Sequence, residues 1–367
     1  MLKYCFFSPI ASPHQVRFCD YLRKYFDAEF YFYDRIGARQ SFWAVPLGEH
    51  CHILPTRFKW RSRYFTLSVI RVLEAQRPDI IMIGGGLSIP ANYLAYRWGK
   101  KHGIKVVVQT ERSRVMSTGK LRGYTLTWRL LHWLYRDIDR VMVTAVDAVE
   151  QFRDTFHFGD KVVVGRYPCD LDRYYLHPVR TKKDAYTLIY PNRMTEIYNP
   201  LGAVEIFAEV LKRHPRTVLK MNAAGELRQQ VEARIGELGI RNSVQFLDNI
   251  ANWDDLGEVY SNCDIMFFPA KFSNGNYTLR ECMASGMACI TSTKVMGIPP
   301  EYIEPRGAVC VLPPETTAFV NRICWTIEHP ETFARNAEVN RAAIRHTTLA
   351  GTAELYYRLF GSMCSEK

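Results

Sequence analysis

The 367-residue sequence lacks the features that would place it directly in several common classes of protein. No apolar run approaches the roughly 18 residues that a membrane-spanning helix needs. The first apolar run, residues 2–7, is short and contains one lysine, so it predicts a buried strand and not a signal peptide. The ten cysteines include no Cys-x-x-Cys pair and no metal-ligand spacing. Several of them lie in apolar runs, which indicates reduced core residues in a cytoplasmic protein.

Acidic residues are also outnumbered, with 37 Asp and Glu against 48 Lys and Arg, which gives a formal net charge of +11. This excess favours an anionic partner: nucleic acid, an anionic membrane or a phosphorylated substrate. No nucleic-acid-binding module is visible, and basic charge alone gives only non-specific affinity, so we expect no nucleic-acid partner. The hydrophobic content of 47% is that of a globular protein, and the length suggests two domains.

The most informative stretch is residues 264–292. Residues 264–269 form an apolar run ended by Pro269, which predicts a buried parallel strand. Residues 278–286 predict a short helix with Gly286 as its left-handed C-terminal residue, and residues 288–292 predict a second strand. Parallel sheets built from such βαβ units bind ligands at the carboxyl ends of their strands. The polar loop 271–277 therefore lies where phosphate or sugar oxygens could meet helix amides.

The same stretch resembles retaining glycosyltransferases of the GT-B fold, in particular family 4, also called group 1. Residues 281–286, Glu-Cys-Met-Ala-Ser-Gly, are similar to the second half of that family's two-glutamate motif, and Ser273 stands where the first glutamate is expected. The resemblance implies that Glu281 holds the nucleotide ribose and that Ser273 faces the donor sugar. It implies further nucleotide-sugar contacts from the residues that complete the loop: Asn274, Gly275, Asn276, Tyr277 and Thr278.

A structural alternative for Glu281 stays open. Thr278-x-x-Glu281 matches a capping box, in which the glutamate only satisfies free amides at the start of its own helix.

Further donor-binding residues follow from the same resemblance. Residues 192–200, Asn-Arg-Met-Thr-Glu-Ile-Tyr-Asn-Pro, are similar to the family's phosphate-clamp turn. The resemblance implies that Arg193 binds the donor diphosphate, while Tyr198 occupies the position of the family's lysine. It also implies that Gly225 lies in a ligand-facing turn and that Ile250 lies beside the nucleobase.

The first half of the chain offers two candidates. Glu111 follows a predicted strand at residues 105–109, at a position where related transferases often carry a His or Glu facing the donor sugar. His14 lies in the loop after the first strand, close to where donor phosphates are expected, although a lone histidine there is more often structural.

Two Asp-x-Asp patterns, at residues 137–139 and 170–172, match a short motif of metal-dependent sugar transferases. Aspartates between a helix and a strand or in a turn commonly bind their own backbone, and hard cations need several converging oxygens. We therefore expect no metal or other cofactor, and a donor linked to UDP or GDP.

Cations alternate with aromatic residues in segments 57–71 and 120–136, the second of which predicts one helix. The segments can be ordinary helices with solvated arginine faces. They can also dock on an anionic membrane, because Trp and Tyr beside Arg suit the lipid headgroup layer.

The sequence thus predicts an α/β protein of GT-B fold, with two Rossmann-like parallel-sheet domains facing across a cleft. Their expected bounds are 1–175 and 176–346, with a C-terminal helix at 347–367 packing back on the first domain. The resemblance implies sugar transfer from a nucleotide-sugar to a glycan or lipid-linked acceptor, with anomeric retention, in bacterial surface polysaccharide or lipopolysaccharide synthesis. Catalysis is expected from Arg193, Glu111 and Ser273, in the cytoplasm or on the inner face of the cytoplasmic membrane. The alternatives are a catalytically weak paralogue that binds glycan or a partner transferase, a nucleotide-sugar epimerase and, third, a basic nucleic-acid-binding protein.

Overall fold

The computed structural model describes residues 1–37, 39–60, 63–114, 120–176, 185–273 and 277–365. They form two compact units, Met1–Asp170 with His346–Lys367, and Leu171–Arg345. The sequence pattern predicts the boundary after residue 175, but the observed boundary lies earlier. The helical turn Asp172–Tyr175 packs against two helices of the second unit, so the chain has left the first unit before this turn.

A parallel sheet forms the centre of the first unit. The strands are β1 (Lys3–Ile10), β2 (Asp27–Asp34), β3 (Cys51–Ile53), β4 (Phe58–Trp60), β5 (Arg63–Phe65), β6 (Ile80–Ile83), β7 (Lys105–Thr110), β8 (Arg140–Val143) and β9 (Val162–Val164). Strands β4 and β5 form a separate antiparallel hairpin, and the other seven are ordered β3-β2-β1-β6-β7-β8-β9. All four residues of β6 are apolar and buried, as expected where helices cover both faces of a parallel sheet.

Among the described residues of this unit, five α-helices surround the sheet: α1 (Pro13–Leu22), α2 (Ser68–Gln76), α3 (Pro90–Lys101), α4 (Leu126–Leu134) and the terminal helix (Leu349–Ser365). The terminal helix packs against α1, and its Tyr356 hydroxyl donates to the Arg166 carbonyl at 2.8 Å. The same hydroxyl accepts a hydrogen bond from Gln109 at 2.7 Å. These contacts explain why the last segment of the chain belongs to the first unit.

Helix α4 is shorter than the helix predicted over residues 120–136. It begins after Thr125, whose extended backbone and side-chain oxygen cap the helix by accepting from the Trp128 amide at 3.5 Å. Gly123 precedes this cap, and glycine and threonine both lower helix propensity. Residues 120–125 therefore form an irregular segment before the cap, in place of the predicted first part of the helix.

The second unit contains a six-stranded parallel sheet covered by helices. The strands are β10 (Thr187–Tyr190), β11 (Val218–Asn222), β12 (Val244–Leu247), β13 (Ile265–Phe268), β14 (Ala288–Ser292) and β15 (Val309–Leu312), in the order β12-β11-β10-β13-β14-β15. The helices are α5 (Asp172–Tyr175), α6 (Pro200–Arg213), α7 (Arg228–Glu237), α8 (Leu256–Ser261), α9 (Tyr277–Ala284), α10 (Thr316–Glu328) and α11 (Thr332–Ile344).

The βαβ unit predicted at residues 264–292 is confirmed as β13, α9 and β14. Gly286 has a φ of 81°, the left-handed conformation predicted for the residue that ends this helix. Both sheets have the doubly wound α/β arrangement, so the predicted fold class of two Rossmann-like parallel-sheet domains is confirmed.

Candidate functional site

The strand order of the second unit creates one place where a ligand is expected. From β10 the chain moves outwards to β11 and β12, then crosses to the other side of β10 and places β13, β14 and β15 there. The loops that leave the carboxyl ends of β10 and β13 therefore diverge. Open α/β sheets bind ligands outside the carboxyl ends of their strands at such a switch point. Arg193, Tyr198 and Ser273 all follow these two strands.

The loop after β10 presents Arg193 to solvent. Its side chain is exposed and forms no ion pair with any residue that the structure describes. Tyr198 ends a single 3-10 turn, Glu196–Tyr198, and its ring meets the edge of Phe268 with centroids 5.4 Å apart. The Tyr190 hydroxyl donates to the Tyr198 carbonyl at 3.0 Å. Tyr198 is therefore part of the packing at the strand ends, while Arg193 is available to an anion.

Gly225, in the loop after β11, lies directly against the Arg193 loop. Its φ is +143°, and a Cβ there would come within 2.3 Å of the Met194 carbonyl oxygen. The two loops are joined by hydrogen bonds from the Met194 amide to Ala224 at 2.7 Å and from the Leu227 amide to Met194 at 3.0 Å. Only glycine permits this approach without strain, so Gly225 lets the two loops pack together at Met194, the residue after Arg193.

The described part of the loop after β13 is also tied to the loop after β10. The amides of Lys271 and Phe272 both donate to the Ile197 carbonyl at 3.0 Å, and Asn199 donates from its side chain to the Pro269 carbonyl at 3.0 Å. The Lys271 ammonium group forms an ion pair with Glu196. Sequence reasoning did not single out Lys271; a cation placed just after a buried strand and a proline was the available signal.

Ser273 is 4% exposed and belongs to the base of the loop. Its amide donates to the Lys294 carbonyl at 3.1 Å, and its carbonyl accepts from the Met296 amide at 2.9 Å. This bridge connects the loop after β13 to the loop after β14 and sets the path of the chain towards α9.

Three predicted sugar-binding residues, Asn274, Gly275 and Asn276, lie outside the described residues. Tyr277 and Thr278 form the start of α9 and are both half-buried. Because α9 already begins at Tyr277, Thr278 lies inside the first turn and does not occupy the N-cap position. The capping-box alternative for Glu281 therefore does not fit the observed helix.

Glu281 is a buried carboxyl group, with 5% of the residue exposed. Burial raises its pKa to about 7, against the opposing effects of the Arg173 cation and the Tyr174 hydroxyl. Such a carboxyl group can change protonation state near neutral pH, and a ligand that donates hydrogen bonds would favour its ionised form. A strongly perturbed carboxyl group in the helix that follows β13 is a functional candidate on physical grounds.

Arg173, from α5, was missed by sequence reasoning and is the cation that offsets the burial of Glu281. Its side chain is 7% exposed and donates to the Trp253 carbonyl at 2.8 Å. Its guanidinium group also lies over the Trp253 ring, 4.9 Å from the centroid. These contacts hold the cation in place independently of the glutamate. The residue is far from Glu281 in sequence, so only the position of Arg173 in a recognisable turn could have suggested it.

Ile250 follows β12, the outermost strand on that side of the sheet, and is half-buried. The start of its loop is anchored by Asp248, which pairs with Arg228 through two contacts of 3.1 and 3.2 Å. Arg228 in turn lies 3.5 Å from the centroid of the Phe246 ring. Ile250 therefore follows a well-anchored segment, two strands away from β10.

The two candidates of the first unit have different environments. His14 is 4% exposed, and its Nδ1 atom accepts a hydrogen bond from the Asp170 amide at 3.1 Å. This contact requires an unprotonated Nδ1 atom and ties the ring to the backbone of Asp170, while the role of His14 as a donor ligand stays a prediction. Glu111 follows β7 and is exposed. The pKa of Tyr167 is raised, first by the burial of its hydroxyl group and second by the charge of the Glu111 carboxylate. Glu111 thus places a carboxylate at the carboxyl edge of the first sheet.

The Asp-x-Asp patterns have structural partners. Asp139 accepts from the Lys100 ammonium group and from the Val106 amide, each at 2.8 Å. Asp170 pairs with Arg17 at 3.0 Å. Within the described ranges, no group of three or more His, Cys, Asp or Glu side chains is arranged to hold a metal ion.

The cation–aromatic segments contain both packed and exposed apolar side chains. Trp128 of α4 stacks on Phe156 with centroids 3.7 Å apart, as an ordinary core-facing helix would. A second apolar stripe on the same helix, Leu126, Leu130 and Trp133, is 81%, 55% and 59% exposed. In the β4–β5 hairpin, Phe58 and Trp60 are 62% and 51% exposed. Arg61 lies outside the described residues. Among the described helices, none has the length and apolar character needed to cross a membrane.

Two family comparisons cover most of the chain. Residues 176–343 match the family described as glycosyl transferases group 1. Residues 14–167 match the glycosyl transferase 4-like domain. Among curated protein sequences, none matches this chain.

Many solved structures share the fold. A glycosyltransferase from Rickettsia africae superimposes with a TM-score of 0.73 at 13% identity, over 100% of both chains. The Anabaena protein HepE, solved with UDP and glucose, has a TM-score of 0.73 at 13% identity, over 99% of this chain and 100% of its own. WaaG, described as a glycosyltransferase involved in lipopolysaccharide biosynthesis, has a TM-score of 0.67 at 13% identity, over 97% and 99%. These similarities establish the GT-B fold.

Proposed function

Because this chain belongs to the group 1 glycosyltransferases, we propose that it transfers a hexose from a UDP- or GDP-linked donor to a glycan or lipid-linked acceptor, with retention of the anomeric configuration. The observation that carries the proposal is the combination of an exposed arginine after β10 and a buried carboxyl group in the helix after β13. Both follow the strands that flank the switch point, where a nucleotide is expected to bind.

Arg193 is the residue suited to the donor diphosphate. Sugar transfer requires stabilisation of the negative charge that develops on the leaving diphosphate as the anomeric carbon becomes cationic. A guanidinium group binds phosphate oxygens through two donors in a fixed geometry, and Arg193 has no competing carboxylate among the described side chains. In this proposal Arg193 and the amides at the start of α9 stabilise the leaving group without a metal ion.

Glu281 is the residue suited to the ribose. The two neighbouring hydroxyl groups of a ribose donate hydrogen bonds, and an ionised carboxylate accepts them. The pKa of about 7 means that a modest gain from the ligand is enough to keep Glu281 ionised. Ser273, Asn274 and Asn276 are proposed to contact the donor sugar, and Glu111 stays a predicted catalytic residue of the first unit.

A membrane-bound, lipid-linked acceptor is favoured by the surface of the first unit. The exposed stripe of α4 and the exposed side chains of the β4–β5 hairpin are apolar and aromatic, and basic residues accompany them, namely Arg57, Lys59, Arg63, Lys120, Arg122 and Arg129. Exposed Trp and Leu side chains beside cations suit the boundary between headgroups and acyl chains of an anionic bilayer. We therefore place the enzyme on the inner face of the cytoplasmic membrane, acting in surface polysaccharide synthesis.

The transfer proposal is tested by donor screening followed by turnover. Thermal denaturation with UDP, GDP and their sugars should reveal the nucleotide, since a ligand at one hundred times its Kd stabilises a protein by about 2.7 kcal/mol. Release of nucleoside diphosphate should then require an acceptor. Epimerisation without an acceptor would identify an isomerase, and binding without any release of diphosphate would identify a catalytically weak paralogue.

Membrane docking is tested by co-sedimentation with vesicles of phosphatidylcholine and phosphatidylglycerol. Replacing the stripe residues Leu126, Leu130 and Trp133 by serine should abolish sedimentation without lowering the Tm, because these side chains are exposed. Trp325→Ser, which removes a partly exposed tryptophan from the second unit, is the control and should sediment normally. Wild-type protein that stays in the supernatant at low salt would contradict the docking proposal.

A further inference from the structure

Lys271 occupies the switch point of the second unit together with Arg193. It follows β13 directly, and its amide and that of Phe272 both donate to the Ile197 carbonyl at 3.0 Å. These bonds bring the backbone of Lys271 against the loop after β10. Its ammonium group pairs with Glu196, in the same loop as Arg193. The two diverging loops therefore each supply one cation.

The Lys271–Glu196 pair is suited to exchange. The two side chains are 55% and 67% exposed, so water already competes for both charges and the pair adds little to stability. A diphosphate carries more charge than a single carboxylate and offers several acceptor oxygens. An ammonium group on a flexible stem can move from one to the other without disturbing the backbone that holds it.

The neighbouring Tyr198 cannot supply a second positive charge. Its ring packs against the edge of Phe268, and its carbonyl accepts from the Tyr190 hydroxyl. The loop after β10 therefore offers a bound diphosphate one cation, Arg193, and a second cation has to come from the loop after β13. Lys271 lies in that loop, and its backbone is bonded to the loop that carries Arg193.

We propose that Lys271 binds the diphosphate of the donor opposite Arg193, and that Glu196 holds the lysine until the diphosphate displaces it. This inference rests on the proposed function and adds to it a binding residue and its exchange partner. Its consequence is specific: Lys271 contributes to the affinity for diphosphates and not to the affinity for nucleosides.

The test is calorimetric titration of wild type, Lys271→Ala and Lys271→Arg with UDP, GDP, uridine and guanosine. Lys271→Ala should weaken diphosphate binding by about tenfold, since a charge-assisted hydrogen bond is lost. Nucleoside affinity and Tm should stay at the wild-type level, and Lys271→Arg should recover most of the loss. The matched control is Lys212→Ala, which removes an exposed lysine paired with Glu209 at the far end of α6.

A second variant tests the exchange itself. Glu196→Gln removes the competing carboxylate and its repulsion of phosphate, so it should strengthen diphosphate binding by severalfold and leave nucleoside binding unchanged. Weaker diphosphate binding in this variant would overturn the exchange. If wild type binds diphosphates and Lys271→Ala binds them equally well, the role of Lys271 is wrong while the proposed function stands. If wild type binds no UDP or GDP, both fail.

Discussion

Replacing Glu281 by Gln separates the effect of the buried carboxyl group on the stability of the protein from its effect on ligand affinity. The substitution keeps the size and hydrogen-bonding capacity of the side chain and removes its ability to ionise. Arg173 does not become an unpaired buried charge, because the Asp254 carboxylate lies 3.8 Å from its guanidinium group and the bond to the Trp253 carbonyl is kept. Changes in stability and in ligand affinity can therefore be assigned to the charge of Glu281.

The expected effect on stability depends on pH. A carboxyl group whose pKa rises from 4.5 to about 7 on folding stabilises the protein most below pH 4.5, and that contribution is lost as the pH rises through 7. The shift corresponds to roughly 3 kcal/mol, at about 1.4 kcal/mol per pKa unit. The Gln variant avoids this loss, so it should melt several degrees above wild type at pH 8 and close to wild type at pH 4.5.

The affinity for ligand is expected to rise with pH, whereas the stability of the wild-type protein falls. If ribose hydroxyls donate to the ionised carboxylate, the affinity of wild type for uridine or guanosine should rise about tenfold between pH 6 and pH 8, because at pH 6 only about a tenth of a group with pKa 7 is ionised. Nucleosides are used because the phosphates of UDP also titrate in this range. The Gln variant should bind more weakly, with no pH dependence over this interval.

Thermal denaturation across pH and calorimetric titration with nucleosides measure both effects. Equal melting temperatures for wild type and the variant at pH 8 would show that Glu281 is not a destabilising buried charge. Unchanged nucleoside affinity in the variant would refute its role as a ribose ligand, even if the pH dependence of stability were observed.

Three further predictions follow from named contacts. Arg193→Ala should reduce transfer at least tenfold, about 1.4 kcal/mol in activation free energy, in steady-state assays, and turnover near the wild-type rate would contradict its role. Gly225→Ala should destabilise the protein by about 1–3 kcal/mol and lower the Tm, because φ is positive there and the new Cβ would meet the Met194 carbonyl. The control is Gly236→Ala on α7, where the new Cβ has open space, and this change should not lower the Tm. Vesicle binding should weaken in high salt, since each basic residue near an anionic surface contributes about 1 kcal/mol. Sedimentation that does not depend on salt would refute an electrostatic contribution to membrane binding.

The elements of the fold could be predicted because each depends on local pattern. Residues 288–292 form a short apolar run, which is a strand of a parallel sheet with the predicted bounds. Residues 80–83 are a strand with the same kind of apolar run. Gly286 ends α9 in a left-handed conformation, as its position after a helical stretch predicts. The chief error is the start of α4: the helix begins after the cap at Thr125, six residues later than the hydrophobic spacing predicts.

The candidate site was only partly predictable, because its contacts join residues distant in sequence. Motif spacing indicated Glu281, but its pKa depends on burial and on Arg173, more than a hundred positions earlier. The sequence likewise left His14 open between two roles, and it could not show the bond from the Asp170 amide to its ring.

The sequence by itself determined the fold class, the succession of strands and helices along the chain, and the position of Arg193 after a strand. These depend on periodicity and on the short range of turn and cap interactions. Tertiary structure alone decided which loops meet at the switch point, that Lys271 pairs with Glu196, and that Leu130 and Trp133 are exposed while Trp128 packs inwards. Those outcomes depend on sheet order and on which face of a helix meets the core, and neither is encoded in any short stretch of the chain.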